Sequence, residues 1–255
     1  MKKTTRYFET LYTRYNKRSL CNPDPLQFLY DYPAVREREI AALVAACFAY
    51  GNVKQIIKTV SWVLNAAGSS PRQFALSATP DKLARIFKGF KYRFTAEQEI
   101  ISFWLAVKTI LQKYGSLEDC FLAYYTPADE TVLPALKGFA RELRRGCDLH
   151  SLVPDPDKKS ALKRLNLFLR WMVRKDEVDP GGWAKISPAQ LLVPLDVHMH
   201  RIAQKLDLTR RNAADITAVL EISAALKKYC PHDPIKYDFC LTRFGIRDDM
   251  SYDDL

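Results

Sequence analysis

An all-α fold of about ten helices in one compact unit is what this sequence predicts. Three observations carry the prediction. Apolar residues recur at three- and four-residue spacing through most of the chain, and no stretch alternates apolar with polar residues as a half-buried strand does. The periodic stretches stop at glycines and prolines rather than at hairpin turn signals. Finally, 255 residues at 48% hydrophobic and 27% charged make an ordinary globular composition, able to bury roughly three quarters of its surface.

The elements follow in order. After an N-terminal helix, residues 38–50 are apolar nearly all round, which predicts a central buried helix. The run Ile40–Tyr50 is too short to span a bilayer. In 53–66, Val53, Ile56, Ile57, Val60, Val63 and Leu64 mark one helix face, closed by Gly68. Short helices are expected at 72–77 and 80–87, a longer one at 96–114 stopping at Gly115, and another over about 131–146. Pro154 and Pro156 forbid a helix through that point. Asp157 or Ser160 then caps a helix running through LKRLNLFLRWMVR. DPGG at 179–182 is a loop, and Pro188 opens a short helical turn. Asp196 follows Pro194 and stands before a helix whose apolar face is Met199, Ile202, Ala203 and Leu206. Residues 213–229 and 236–245 complete the set, the last with a Gly stop, and the tail SYDDL is expected to fray.

Charge narrows the partners. The net charge is +10. Residues 1–18 hold six basic and one acidic residue, residues 155–211 twelve and seven, and the remainder balance. A localised basic excess is the footprint of a polyanion binder, a solvated basic face being the plain alternative. The basic N-terminus lacks an apolar stretch, so no signal peptide is expected. Six cysteines without a CxxC pair read as cytosolic thiols rather than a disulfide framework or zinc module. The expected setting is the cytoplasm, with no membrane partner, metal or cofactor.

Two side chains carry the candidate chemistry. Asp196 at a helix start is an N-cap, or a carboxylate at the edge of a partly dry site made by LLVPL. Lys163 near a helix start is a surface lysine, or an amine that burial and neighbouring cations such as Lys159 and Arg164 make nucleophilic. Trp171 and Phe168 read as core residues with a stacking role as the alternative, and His198 and His200, two apart, point to different faces.

In this order and spacing the chain resembles the helix-hairpin-helix DNA glycosylase superfamily, the endonuclease III-like proteins. KRLNLFLRW (163–171) falls on the helix that bears that family's catalytic lysine. PLDVHMHRIAQKLDL (194–208) falls on its aspartate motif. EIAALVAACFAYGNVKQI (39–56) is similar to the helix and turn lining the base pocket, and LKKYCPHDPIKYDFCLTRFG (226–245) to the late helices, so the likeness covers roughly 30–247. An uncharacterised bacterial family within the superfamily is closer still, sharing K-R-L-N-x-F-L-R-W-M-V-R and P-L-D-x-H. Three departures stand out. The glycine hairpin before the lysine is replaced by DPDKKSA, the threonine after the aspartate is Val197, and no cysteine set for an iron–sulfur cluster follows Cys240.

The resemblance implies two lobes, about 36–155 and about 1–35 plus 156–255, with a cleft between them. It implies catalytic Lys163 and Asp196. Lys158, Lys159, Arg164, Tyr50, Asn52, His198 and Arg201 would contact double-stranded DNA, damaged or mismatched. The implied activity is a DNA-repair glycosylase of the bacterial cytosol or nucleoid, with or without abasic-site lyase chemistry. The alternatives are a non-catalytic nucleic-acid-binding protein on the same fold and a basic helical module that binds an acidic protein.

Overall fold

Small polar side chains start most of the helices by accepting the first free backbone N–H groups. In the computed structural model, which describes residues 4–247 and 249–255, the helices are α1 (Thr5–Tyr15), α2 (Val35–Cys47), α3 (Val53–Ala67), α4 (Pro71–Leu76), α5 (Pro80–Ile86), α6 (Glu97–Tyr114), α7 (Leu117–Leu122), α8 (Leu133–Arg144), α9 (Lys163–Val173), α10 (Val197–Lys205), α11 (Ile216–Lys227) and α12 (Asp238–Ile246). Thr4, Asn52, Ser70, Thr79, Ser116, Asp196 and Asp215 cap seven of them. Gly68 (φ 73°) and Gly115 (φ 85°) end α3 and α6 in a conformation that side chains with a Cβ resist. The protein is all-α, and among the described residues the strands are those of one small hairpin, β1 (Lys91–Tyr92) paired antiparallel with β2 (Thr95–Ala96).

The chain divides into two compact units. One comprises Met1–Asn22, Pro127–Val132 and Lys159–Leu255; the other comprises Pro23–Thr126 and Leu133–Lys158. The boundaries fall at 22/23, 126/127, 132/133 and 158/159, against the expected about 35 and about 155. Residues 23–34 go with α2 because the 3₁₀ turn Pro25–Asp31 packs on α2 and α3. Residues 127–132 go with the first unit because the Val132 amide donates to the Gln190 carbonyl (3.0 Å) and the Gln190 side chain to the Asp129 carbonyl (2.5 Å).

The second unit is built around α2, whose residues Ile40–Cys47 are fully buried. A carboxylate in that helix has to be satisfied. Glu39 accepts the N–H groups of Leu117 and Glu118 at 3.1 and 3.2 Å, and so caps α7 from below. The first unit packs α10 on α12 and α1 on α12. Its core includes Leu165, Phe168, Leu169, Trp171 and Met172 of α9, with Phe168 edge-on to Trp183.

Four local expectations are corrected. Neither Asp157 nor Ser160 caps α9. Ser160 forms an isolated bridge with Asp215, and Leu162, in the left-handed region at φ 50°, redirects the chain so that the helix starts at Lys163. Residues 117–122 add a short helix, capped by Ser116, that apolar periodicity did not mark. Gly245 lies inside α12 rather than ending it. The tail is held as a 3₁₀ turn, Tyr252–Asp254, by a capping box between Ser251 and Asp254.

Candidate active site

Lys163 and Asp196 lie 33 positions apart in the chain, and the fold brings them together. Lys163 opens α9, and Asp196 is the N-cap of α10. The lysine Nζ stands 3.9 Å from Asp196 Oδ2, with the two side chains about a quarter exposed (28% and 24%). Asp196 divides its oxygens. Oδ1 accepts the N–H groups of His198 (3.0 Å) and Met199 (2.9 Å), while Oδ2 faces the amine. The approach Leu191–Leu195 is wholly buried, and the Val193 amide donates to Ser223 Oγ at 3.0 Å. The aspartate is thus fixed from both sides, by its own helix and by a dry strand of backbone.

Below the pair, α9 carries a buried ionic cluster. Asn166 and Arg170 follow Lys163 at helical spacing on one ridge. Arg170 donates to Asp179 (3.0 Å) and to Asp238 (2.7 Å). Arg174, one turn on, pairs with Asp176 (2.9 Å), Asp233 (2.8 Å) and Asp179. The DPGG loop is what delivers Asp179: Gly181 (φ 66°) lies so close to the Arg174 carbonyl that a Cβ would stand 2.9 Å from it. Burial pushes the Asp238 carboxyl up to about 6, against the pull of Arg170 and with a further push from the charges of Asp196 and Asp179. Burial opposes the Arg174 charge too, but the surrounding carboxylates hold the guanidinium protonated and its pKa raised. Asn166 Oδ1 and Asp238 Oδ1 are buried without a hydrogen-bond partner, so the floor of the site is polar as well as charged.

Lys158, Lys159 and Arg201 are exposed, and Arg164 and His198 are half-exposed. Two amides of the DPDKKSA segment and the one that follows it are engaged locally. The Asp157 amide donates to Asp155 Oδ1 (3.0 Å), the Lys158 amide to the Asp155 carbonyl (3.3 Å) and the Leu162 amide to Ser160 Oγ (3.3 Å). A phosphate here would find the Asp157 and Lys158 amides already engaged and the Lys158 and Lys159 side chains exposed. His198 and Arg201 lie beneath Tyr252: His198 Nδ1 shares a 2.6 Å hydrogen bond with the tyrosine hydroxyl, and the Arg201 guanidinium lies 5.2 Å from the ring centre. His200 turns elsewhere, to the Arg211 carbonyl at 3.0 Å.

Tyr50 and Asn52 belong to the other unit, and both have structural work there. The Tyr50 hydroxyl bonds Thr95 Oγ1 (2.6 Å) and the Tyr92 carbonyl (3.2 Å), and Asn52 caps α3. The side chain that sequence reasoning missed is next to them. Phe94 is 77% exposed at the tip of the β1–β2 hairpin, with Arg93 against its ring and Lys88 and Lys91 exposed beside it. Gly51 leaves the room that Arg93 fills, since a Cβ there would stand 2.9 Å from the arginine side chain. The signal was present as K-Y-R-F-T, buried at Tyr92 and Thr95 and exposed between, but two-residue strands are too short to register as alternation.

An amine beside a carboxylate at two helix starts, above a charged floor, can exchange a proton and can hold an anion or a developing cation. Among the described residues no helix is long and apolar enough to cross a membrane. No curated protein and no solved structure matches the chain. A family model described as "Protein of unknown function (DUF2400)" matches residues 24–247, a span that takes in α2 through α12 and both members of the Lys163–Asp196 pair, and the chain belongs to that family.

Proposed function

We propose that this protein binds duplex DNA and excises a damaged or mismatched base through Lys163 and Asp196, in the bacterial cytosol or nucleoid. The observation that carries the reading is the 3.9 Å approach of Lys163 Nζ to Asp196 Oδ2 in two sequence stretches that resemble a glycosylase's lysine helix and aspartate motif. The basic excess over 155–211 supports a phosphate backbone as the partner, and Phe94 among Lys88, Lys91 and Arg93 offers an aromatic face to an unstacked base.

In the proposed reaction the target nucleotide is first flipped out of the stack. Asp196 takes a proton from the Lys163 ammonium. The lysine lone pair then forms a bond to the sugar C1′, and the electrons of the C1′–N bond leave with the base, which gains a proton. The base takes its proton from Asp196, whose regenerated carboxylate accepts one proton from the new secondary ammonium and passes it to O4′ as the C1′–O4′ bond opens, leaving a protonated Schiff base. The amine must be neutral to attack, and Asp196 is the carboxylate that stands within reach of its proton.

Borohydride trapping tests this. Duplexes carrying an abasic site, uracil, 8-oxoguanine or an oxidised pyrimidine are incubated with the protein and reduced. A covalent adduct lost in Lys163→Ala is the expected result, and an adduct that survives that substitution refutes the assignment. The engagement of the Asp157 and Lys158 amides favours one second reading, non-catalytic binding of nucleic acid on the same fold. Salt-sensitive binding of every duplex with neither adduct nor base release would select it.

A further inference from the structure

We infer that the acidic segment 249–255 is an internal competitor for DNA: its Tyr252–Asp254 turn occupies the cationic face of α10 and must leave for a phosphate backbone to dock there. The inference rests on the DNA-binding reading above and adds a regulation to it.

His198, Arg201 and Lys205 follow one another at i, i+3 and i+7, so they share one face of α10. The same short turn engages all three. The Tyr252 hydroxyl bonds His198 Nδ1 at 2.6 Å, and the two rings lie nearly parallel, 16° apart. The Arg201 guanidinium sits over the Tyr252 ring. Lys205 Nζ donates to the Tyr252 carbonyl and stands 3.4 Å from Asp253 Oδ1. Of the segment's three aspartates, Asp253 meets these bases, while Asp249 pairs with Arg247 (2.7 Å) and Asp254 accepts the Ser251 amide (3.1 Å). Its place is also built from beneath. A Cβ on Gly245 of α12 would stand 2.7 Å from His198 Nδ1 and would collide with the Tyr252 hydroxyl, so the absence of a side chain there is what lets the turn close on the helix.

The donors the turn engages are those a phosphate would use: an imidazole, a guanidinium and an ammonium along one helix face. Yet the hold is light. Asp253 is 96% exposed, and an exposed ion pair contributes little. A polyanion that neutralises several cations at once and releases counterions outcompetes it as salt falls. The turn therefore raises the threshold for binding and does not abolish it.

The test compares the full chain with two full-length variants, Tyr252→Ala/Asp253→Asn, which weakens the turn, and Gly245→Ala, which pushes it off from below. Affinity for a plain duplex of about 20 base pairs is measured across a salt series, on the scale of a dsDNA footprint. A turn closed most of the time hides the site by that fraction, so both variants are expected to bind about three- to tenfold more tightly. In the unsubstituted chain carrying fluorotyrosine, the ¹⁹F resonance that Tyr252→Phe removes is expected to shift on adding duplex. Equal affinity for all three proteins, or an unmoved Tyr252 resonance at saturating duplex, overturns the competitor and leaves DNA binding standing. No duplex binding by any of them at low salt overturns both readings together.

Discussion

Asp196 caps α10 and, in the proposed reaction, also serves as a base, and one substitution pair can separate the two. As an N-cap its Oδ1 accepts two N–H groups at 3.0 and 2.9 Å. Losing a cap of this kind costs about 1 kcal/mol, within a range of about 0.5–2. Its Oδ2 stands 3.9 Å from Lys163, and with both side chains about a quarter exposed that pair adds no more than about 1 kcal/mol. Asp196→Ala should therefore lose about 1–2 kcal/mol, a fall of roughly 3–8 °C in Tm for a chain of this size. Asp196→Asn keeps an oxygen for the cap and should lose less than about 1 kcal/mol. Proton transfer behaves differently, because an amide accepts no proton. If Asp196 serves the lysine as base, both variants lose about 10²- to 10⁴-fold in the rate of adduct formation, equivalent to about 3–5 kcal/mol. The effect on rate then exceeds the effect on stability in both variants, and in the asparagine variant it stands almost alone. Thermal melts and single-turnover borohydride trapping on one protein preparation read both quantities. An asparagine variant that traps as fast as the parent refutes the catalytic role, and an alanine variant with an unchanged melt refutes the cap.

Three further outcomes are expected. Asp238 is fully buried with its carboxyl pushed from 3.8 up to about 6, so between those values the folded state holds a proton that the unfolded chain releases. Stability must then fall as pH rises through about 4 to 6, by about 3 kcal/mol when complete, and Asp238→Asn should remove that slope in urea titrations at stepped pH; parallel curves refute it. Replacing exposed Lys158 and Lys159 together by alanine should leave the melt unchanged and lower the slope of log K against log salt by about 1.8 for duplex DNA, and an unaltered slope removes them from the interface. Phe94→Ala, at a side chain 77% exposed, should not alter folding but should weaken binding to a single strand or an unpaired base by about 1–3 kcal/mol, and unchanged affinity in a fluorescence titration rules out stacking there.

What the sequence discloses depends on how far apart the causes lie. α3 and α6 could be read almost residue by residue, because periodicity and a glycine stop sit within the helix or next to it, although the Asn52 cap of α3 was not read. Asp196 as a cap was legible for the same reason. The start of α9 was not. Asp157 and Ser160 are good caps locally, but Ser160 is drawn into a bridge with Asp215, 55 positions away, and the turn at Leu162 follows from that. The ionic cluster hid in the same way. Nothing next to Arg170 and Arg174 in the sequence marks them as buried, because Asp179, Asp233 and Asp238 reach them from other stretches, and their joint burial makes the arginines interior groups. The turn at Tyr252 reverses the expectation of a frayed end because the side chains that hold it, His198, Arg201 and Lys205, are remote in sequence, and the gap at Gly245 shows only once α12 is folded.

The cap and the reactive carboxylate, set against each other when PLDVH is read alone, are compatible once the two oxygens are counted separately. Capping fixes Oδ1 along the α10 axis, and with the extended backbone of Asp196 (φ −116°, ψ −175°) that fixes the carboxylate plane. Oδ2 is then held toward Lys163 without any rotamer search. A carboxylate free to rotate would lose most of that orientation to entropy. The cap therefore aims the second oxygen at Lys163, and in the proposed reaction that oxygen is the proton acceptor. On this argument a serine or asparagine in place of Asp196 would preserve the helix yet leave Lys163 without its acceptor, which is why stability alone cannot report on this residue.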